Sequence, residues 1–130
     1  MLILDTSILI DIEQEITSTI EKVKELYLTY PLLPKISFIT EFEFMYGLEG
    51  KNEKNKAKSL AFLQNFEVLY PTKKTSSIIS KLKYKYEKKG ITFSFTDLYI
   101  ASLALENHLI LVTKDGDFKP IEEIQKIIIE

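Results

Sequence analysis

The sequence contains no cysteine, no arginine and a single histidine, His108, in 130 residues. Without cysteine there is no disulfide framework, thiol nucleophile, zinc ribbon or iron–sulfur cluster, and one histidine is a poor basis for zinc chemistry. Without arginine there is no planar fork to grip guanine bidentately, so any nucleic-acid contact falls to lysine and positions a backbone more than it reads bases. Nothing in the composition is collagen-like or low in complexity. No stretch approaches the roughly 18 to 20 uninterrupted apolar residues of a membrane span, and the opening MLILDTSILI carries Asp5 where a secretory signal would be purely apolar. A soluble cytoplasmic protein with no membrane partner is expected.

What remains is an ordinary globular composition, 45% hydrophobic and 28% charged, in a length that suits one domain over residues 1–130. The net charge of −2 conceals an asymmetry. Setting aside Asp5, Glu43, Asp97, Asp115 and Asp117 leaves 14 acids against 17 lysines, so a slightly basic body surrounds a candidate acidic site. Lysines concentrate in KNEKNKAK (51–58) and KLKYKYEKKG (81–90). A solvated helix face accounts for either run. The second run, with Lys81, Lys83 and Lys85 interleaved with Tyr84 and Tyr86, also suits weak contact with the phosphates of a polyanion, to which Lys114 can add.

Short apolar runs alternate with longer amphipathic ones. MLIL (1–4) reads as a buried strand ending at Asp5, followed by a short helix from about Ser7 and a longer one over 15–30 that ends before Pro31. KISF (35–38) reads as a second strand, with Thr40 capping a helix that sets Ile39, Glu43, Tyr46 and Gly47 on one face. A helix over 52–65, a strand FEVL (66–69) and a helix over 74–89 stopped by Gly90 come next. Thr96 is the expected cap of a helix to about Asn107 with Asp97, Ile100, Ala101, Ala104 and Leu105 on one stripe. LILV (109–112) is the clearest strand, TKDGD (113–117) a polar turn, and Ile127–Ile129 a final edge strand. This order predicts an α/β fold, a three-layer α/β/α sandwich on a mostly parallel sheet.

Ligands of such sheets collect beyond the carboxyl ends of the strands. Asp5 follows the first strand, Asp115 and Asp117 follow LILV, Asp97 sits in the first turn of its helix, and Glu43 lies one turn into its own. Four distant segments can therefore supply one acidic pocket. Carboxylates so crowded repel, and a divalent cation relieves them; oxygen ligands without His or Cys suit Mg²⁺ or Mn²⁺, which borrow further oxygens from a phosphate substrate. Each acid also has a plainer role: Asp5 as a helix cap, Asp97 as a partner of the helix dipole, Asp115 and Asp117 as turn residues. Glu43 is the most telling, because a carboxylate on an apolar helical stripe is costly unless paired or metal-bound. His108, beside a helix end, is read as a dipole partner.

The segments LDTSILID, ISFITEFEFMYG (36–47) and FTDLYIASLALENHLILVTKDGDF (95–118), in this order and length, resemble the PIN-domain family, and within it the VapC-type toxin ribonucleases. The resemblance implies a Mg²⁺- or Mn²⁺-dependent endoribonuclease that hydrolyses RNA phosphodiester bonds as the toxin of a type II toxin–antitoxin pair, with RNA as substrate, an antitoxin as possible partner, and a homodimer. It matches Asp5, Glu43, Asp97 and Asp115 to the metal-binding acids. Asp117 corresponds to the aspartate of the closing Asp-Phe pair, as ligand or structural residue. Thr6, Ser7 and Thr113 are the accompanying hydroxyls. The absence of arginine is the departure from many relatives.

Two other readings compete. A PIN-fold scaffold would bind RNA or protein without cutting it. A receiver-like phosphoacceptor module has a similar length and acidic pocket, but the position of Asp5 after the first strand disfavours it. An apolar stripe on the early helices (Ile16, Ile20, Val23, Leu26, Tyr27) is by default a core face, and otherwise a surface for a dimer or an antitoxin.

Overall fold

The computed structural model describes residues 1–130. Its elements run β1 (Leu2–Leu4), α1 (Thr6–Glu13), α2 (Thr17–Thr29), β2 (Lys35–Ser37), α3 (Phe38–Leu48), α4 (Glu53–Leu63), β3 (Glu67–Leu69), α5 (Lys73–Lys88), α6 (Phe95–Glu106), β4 (Ile110–Thr113) and β5 (Lys126–Ile128), with a 3-10 turn over Gly116–Phe118. The five strands form one sheet in the order β3-β2-β1-β4-β5, and every neighbouring pair is parallel. No helix is long and apolar enough to cross a membrane.

Alternation along each strand divides the interior into two layers of packing. Ile3 and Leu111 point into a cluster built with α5 and α6, including Leu82, Tyr86, Leu98, Ile100 and Leu103. Leu2, Leu4, Ile36 and Val112 point to the opposite face and pack with Ile8, Leu9, Phe44, Leu48 and Leu63 of the other helices. The sandwich expected from the sequence is therefore present, with the strands as its middle layer.

Chain order and spatial order part company at β1. Successive elements lay β2 and β3 on one side of it, and the chain then crosses back to add β4 and β5 on the other. Progression reverses between β1 and β4, which opens a crevice beyond their carboxyl ends. The first strand in sequence is thus the middle strand in space, so strand position alone does not separate this chain from a receiver-like module.

The boundaries differ from expectation at the caps. Ser37, not Thr40, caps α3, its Oγ accepting the Thr40 N–H at 3.1 Å. Ser94, not Thr96, caps α6 by accepting the Asp97 N–H at 3.1 Å. In both helices a serine lies upstream of the threonine, and the first of two competent caps wins because it lets more residues join the helix. The stripe expected on α6 is also too narrow: Leu98 through Ala104 are all buried, because α6 lies between the sheet and α5 with α3 alongside. His108 follows the end of α6 with φ 54, in the left-handed region where helices commonly end, and its side chain is exposed. Gly90, with φ 79, ends α5 as expected.

Leu111 is fully buried in the cluster beneath α6, and Leu111→Ala should cost roughly 2–5 kcal/mol of folding stability, read as a lowered midpoint in urea denaturation.

Candidate metal centre

Asp5 stands where β1 ends and α1 begins. Its N–H continues the sheet by donating to the Val112 carbonyl at 3.0 Å, and its side chain caps α1. Only 8% of the residue is exposed. Oδ1 accepts the Thr6 N–H at 2.8 Å, and Oδ2 accepts the hydroxyls of Thr113 at 2.7 Å and Ser7 at 3.3 Å. These donors leave one lone pair of Oδ1 without a partner in the protein. Capping and a place in the acidic pocket, alternatives at the level of sequence, are compatible here.

Thr113, the last residue of β4, carries the neighbouring acid. Its hydroxyl donates to Asp5 and accepts the Asp115 N–H at 2.9 Å, which ties the turn after β4 to the end of β1. Asp115 in turn caps the 3-10 turn by accepting the Asp117 N–H at 2.8 Å. Asp97, in the first turn of α6, comes from the far side of the crevice. Carboxylate oxygens of Asp97, Asp115 and Asp117 all lie within 4.8 Å of one another.

Glu43 sits on α3, where it lines the same cleft of about 630 Å³ as Asp97, Asp115 and Asp117. The Thr6 hydroxyl donates to its Oε1 at 2.5 Å. The apolar surroundings expected from its stripe are not found: Tyr46 is 71% exposed, and Glu43 itself is half-buried. This part of the helix forms a wall of a polar cleft, and the carboxylate is hydrogen-bonded there.

The electrostatics follow from this crowding. No lysine lines the cleft, and none of the five ion pairs in the structure involves Asp5, Glu43, Asp97, Asp115 or Asp117. Asp97 is pushed up to about 6, first by burial and then by the charge of Asp115, with smaller contributions from Asp5 and Asp117 against the Ser94 hydrogen bond. Burial raises Asp5 as well, opposed by its bonds from Thr113, Thr6 and Ser7. An oxygen-only donor set that repels itself and has no protein cation to balance it fits a hard divalent ion, and does not fit a soft one.

The tight trio is thus Asp97, Asp115 and Asp117, with Asp5 behind it and Glu43 across the cleft. Ser94, which caps the helix at Asp97, has no role in the sequence reading, and Thr40, expected there only as a helix cap, instead meets the Thr6 hydroxyl that bonds Glu43. Their signal was present as serine or threonine three residues before an acid or a helical turn. The lysines are less free than the sequence suggested. Lys83 pairs with Glu87 at 2.9 Å, Lys85 with Glu123 at 2.7 Å and Lys114 with Asp11 at 2.7 Å, while Lys81 is exposed and outside these pairs.

The raised Asp97 has a measurable consequence. Between about pH 4 and 6 the folded chain holds a proton that the unfolded chain has released, so this group adds stability on acidification and loses it as pH rises through about 6. In EDTA, the melting temperature of the native protein should rise more from pH 7 to pH 5 than that of Asp97→Asn, and the variant should be the more stable of the two at pH 7.

Known proteins share both sequence and architecture with this chain. The model of the PIN domain family matches residues 2–124. Ribonuclease VapC2 of Rickettsia felis is 32% identical over 97 residues, which span 73% of this chain and 71% of that protein. The structure of VapBC2 from Rickettsia felis bound to a DNA fragment from their promoter superposes with a TM-score of 0.83 at 26% identity, covering 98% of this chain and 97% of that one. VapBC-1 from nontypeable Haemophilus influenzae gives a TM-score of 0.78 at 27% identity, covering 98% and 96%. A match along nearly the whole chain, on a parallel sheet whose switch point gathers the acids, places this protein in the PIN-domain family.

Proposed function

We propose that this PIN-domain protein is a Mg²⁺- or Mn²⁺-dependent endoribonuclease, the toxin of a type II toxin–antitoxin pair, acting in the cytoplasm as a single catalytic domain over residues 1–130. The observation that carries the reading is the convergence of four carboxylates from three segments, Glu43, Asp97, Asp115 and Asp117, on one cleft that contains no lysine, with the buried Asp5 of a fourth segment behind them. Similarity to a ribonuclease and to VapBC complexes supports the reaction and the partner class. Family membership removes the basis for a receiver-like phosphoacceptor.

In this reading Asp97, Asp115 and Asp117 hold the ion, Asp5 contributes from the end of β1, and Glu43 faces the ion or its water from α3. A divalent cation bound there would neutralise the acids and lower the pKa of a water for attack on phosphorus. The chain's own part is to fix these oxygens before substrate arrives. Thr113 and Ser7 hold Asp5, the Asp115 carboxylate holds the following turn, and Ser94 sets the first turn of α6. Phosphates of the RNA would meet Lys81, Lys83, Lys85 and Lys114, the paired ones exchanging a carboxylate for a phosphate, so binding should weaken with salt.

The partners require apolar surface, and two exposed tracts supply it. On α3, Phe38, Phe42, Met45 and Tyr46 recur at helical spacing on the outside, where Phe42 and Tyr46 stack with ring centres 6.1 Å apart. From the cap residue Ile16 along α2 to the loop after it, Ile16, Tyr27, Leu28, Leu32 and Leu33 are exposed, with Leu28 at 83%. Of the stripe read from sequence, Val23 and Leu26 pack on the core, so the tract there is narrower than expected and is extended by the loop instead. We assign the α3 tract to a second copy and the α2 tract to the antitoxin.

Purified protein should cleave single-stranded RNA with Mg²⁺ or Mn²⁺ and stop in EDTA. Asp5→Asn or Asp97→Asn should lower the rate by about a hundredfold or more with the fold intact by circular dichroism, since metal stabilisation of the transition state is worth several kcal/mol. Cleavage that survives both EDTA and Asp5→Asn would reject the reading, and RNA retention without cleavage in any metal would favour a scaffold. Met45→Glu should shift the protein to monomer in light scattering without lowering its melting temperature.

A further inference from the structure

Behind the cleft lies a line of hydroxyls for which the reaction as described has no use. Ser37, at the end of β2, and Thr40, in the first turn of α3, are each 0% exposed. The Ser37 and Thr40 hydroxyl oxygens are 3.3 Å apart, Thr40 and Thr6 are 3.0 Å apart, and Thr6 reaches Glu43 Oε1 at 2.5 Å. Three segments, β2, α3 and α1, meet in this line.

The direction of the protons is fixed from its outer end. Each hydroxyl has one proton to give. Thr6 stands 2.5 Å from Glu43 Oε1 and 3.0 Å from the Thr40 hydroxyl, so its one proton goes to the nearer, carboxylate oxygen. Thr6 must then accept from Thr40, and Thr40, its own proton committed, must accept from Ser37. Ser37 is left to accept the backbone N–H of Thr40, which it does at 3.1 Å. Every donor in the chain points toward the carboxylate, and each bond polarises the next in the same sense.

We propose that Thr40 is a positioning residue for the metal site, acting through Thr6 to hold Glu43 Oε1 and so present Oε2 to the cleft. The proposal rests on the reading of Glu43 as part of that site. A glutamate at a cleft wall has three rotatable bonds to immobilise, and an unheld one would lose that freedom on each binding event. Valine at position 40 has nearly the same shape, but it can neither accept from the buried Ser37 hydroxyl nor donate to Thr6. The first loss falls on stability and the second on Glu43.

The experiment compares the full chain with Thr40→Val and Thr40→Ser, measuring Mn²⁺ affinity by calorimetry, thermal melting, and RNA cleavage. Thr40→Val should melt lower than the native protein, because the buried Ser37 hydroxyl loses its acceptor, and where both are folded it should bind Mn²⁺ about tenfold more weakly, the usual effect of removing a group that orients a metal ligand. Thr40→Ser should recover most of the affinity, which a packing role would not predict. Should Thr40→Val fail to fold, Thr6→Val at its half-buried position removes the final donor and is read in the same way. Native-like Mn²⁺ affinity in the valine variant, or a serine variant no better than valine, would overturn the proposal while leaving the nuclease reading in place. A native protein that binds no Mn²⁺ would overturn both.

Discussion

The hydrogen bond from Thr113 to Asp5, at 2.7 Å, joins two residues 108 positions apart and sets the geometry of everything around it. Thr113 ends β4 and Asp5 follows β1, and these are the two strands between which the sheet reverses direction. Because the same hydroxyl accepts the Asp115 N–H, one side chain fixes the distance from the buried aspartate to the acidic turn. Burial is the first cause of the raised pKa values of Asp97 and Asp5, and the neighbouring charge of Asp115 adds to both, while the Thr113 bond lowers Asp5.

The packing explains how so small a protein tolerates the crowding. The two hydrophobic clusters on opposite faces of the sheet are centred on residues flanking the acids: Ile3 and Leu4 precede Asp5, Leu111 and Val112 precede Thr113, and Leu98 and Ile100 follow Asp97. Each acid is thus anchored by buried neighbours in its own segment. A second brace lies below the turn. Tyr86 donates to Glu123 at 2.6 Å and accepts the Glu122 N–H at 2.9 Å, fastening α5 to the segment that follows Asp117. Lys85, from the lysine run at 81–90, joins this brace by pairing with Glu123 at 2.7 Å.

Much of this was legible before folding because its causes are local. Alternation of apolar runs gave the number and type of elements to within a residue or two, since the sheet is buried on both faces and its strands read as continuous apolar segments. The candidate acids were legible for a related reason: an aspartate directly after a buried strand, or in the first turn of a helix, is where the backbone itself leaves hydrogen-bond donors to be met. Caps were less legible, because Ser37 and Thr40, or Ser94 and Thr96, offer equivalent oxygens and only the path of the entering chain chooses between them.

The sequence by itself determined the fold class, the acidic residues and the hard-ion chemistry their oxygens allow, because burial period and ligand type are properties of residues and their nearest neighbours. Tertiary structure alone decided that β1 is the middle strand, that Asp117 joins Asp97 and Asp115 in the tight group while Asp5 lies behind it, and that Glu43 faces a polar cleft rather than an apolar wall. It also decided which lysines are already paired and which apolar side chains stay outside. These depend on distances between residues far apart in the chain, and such distances are set by strand order and packing, which no local pattern encodes.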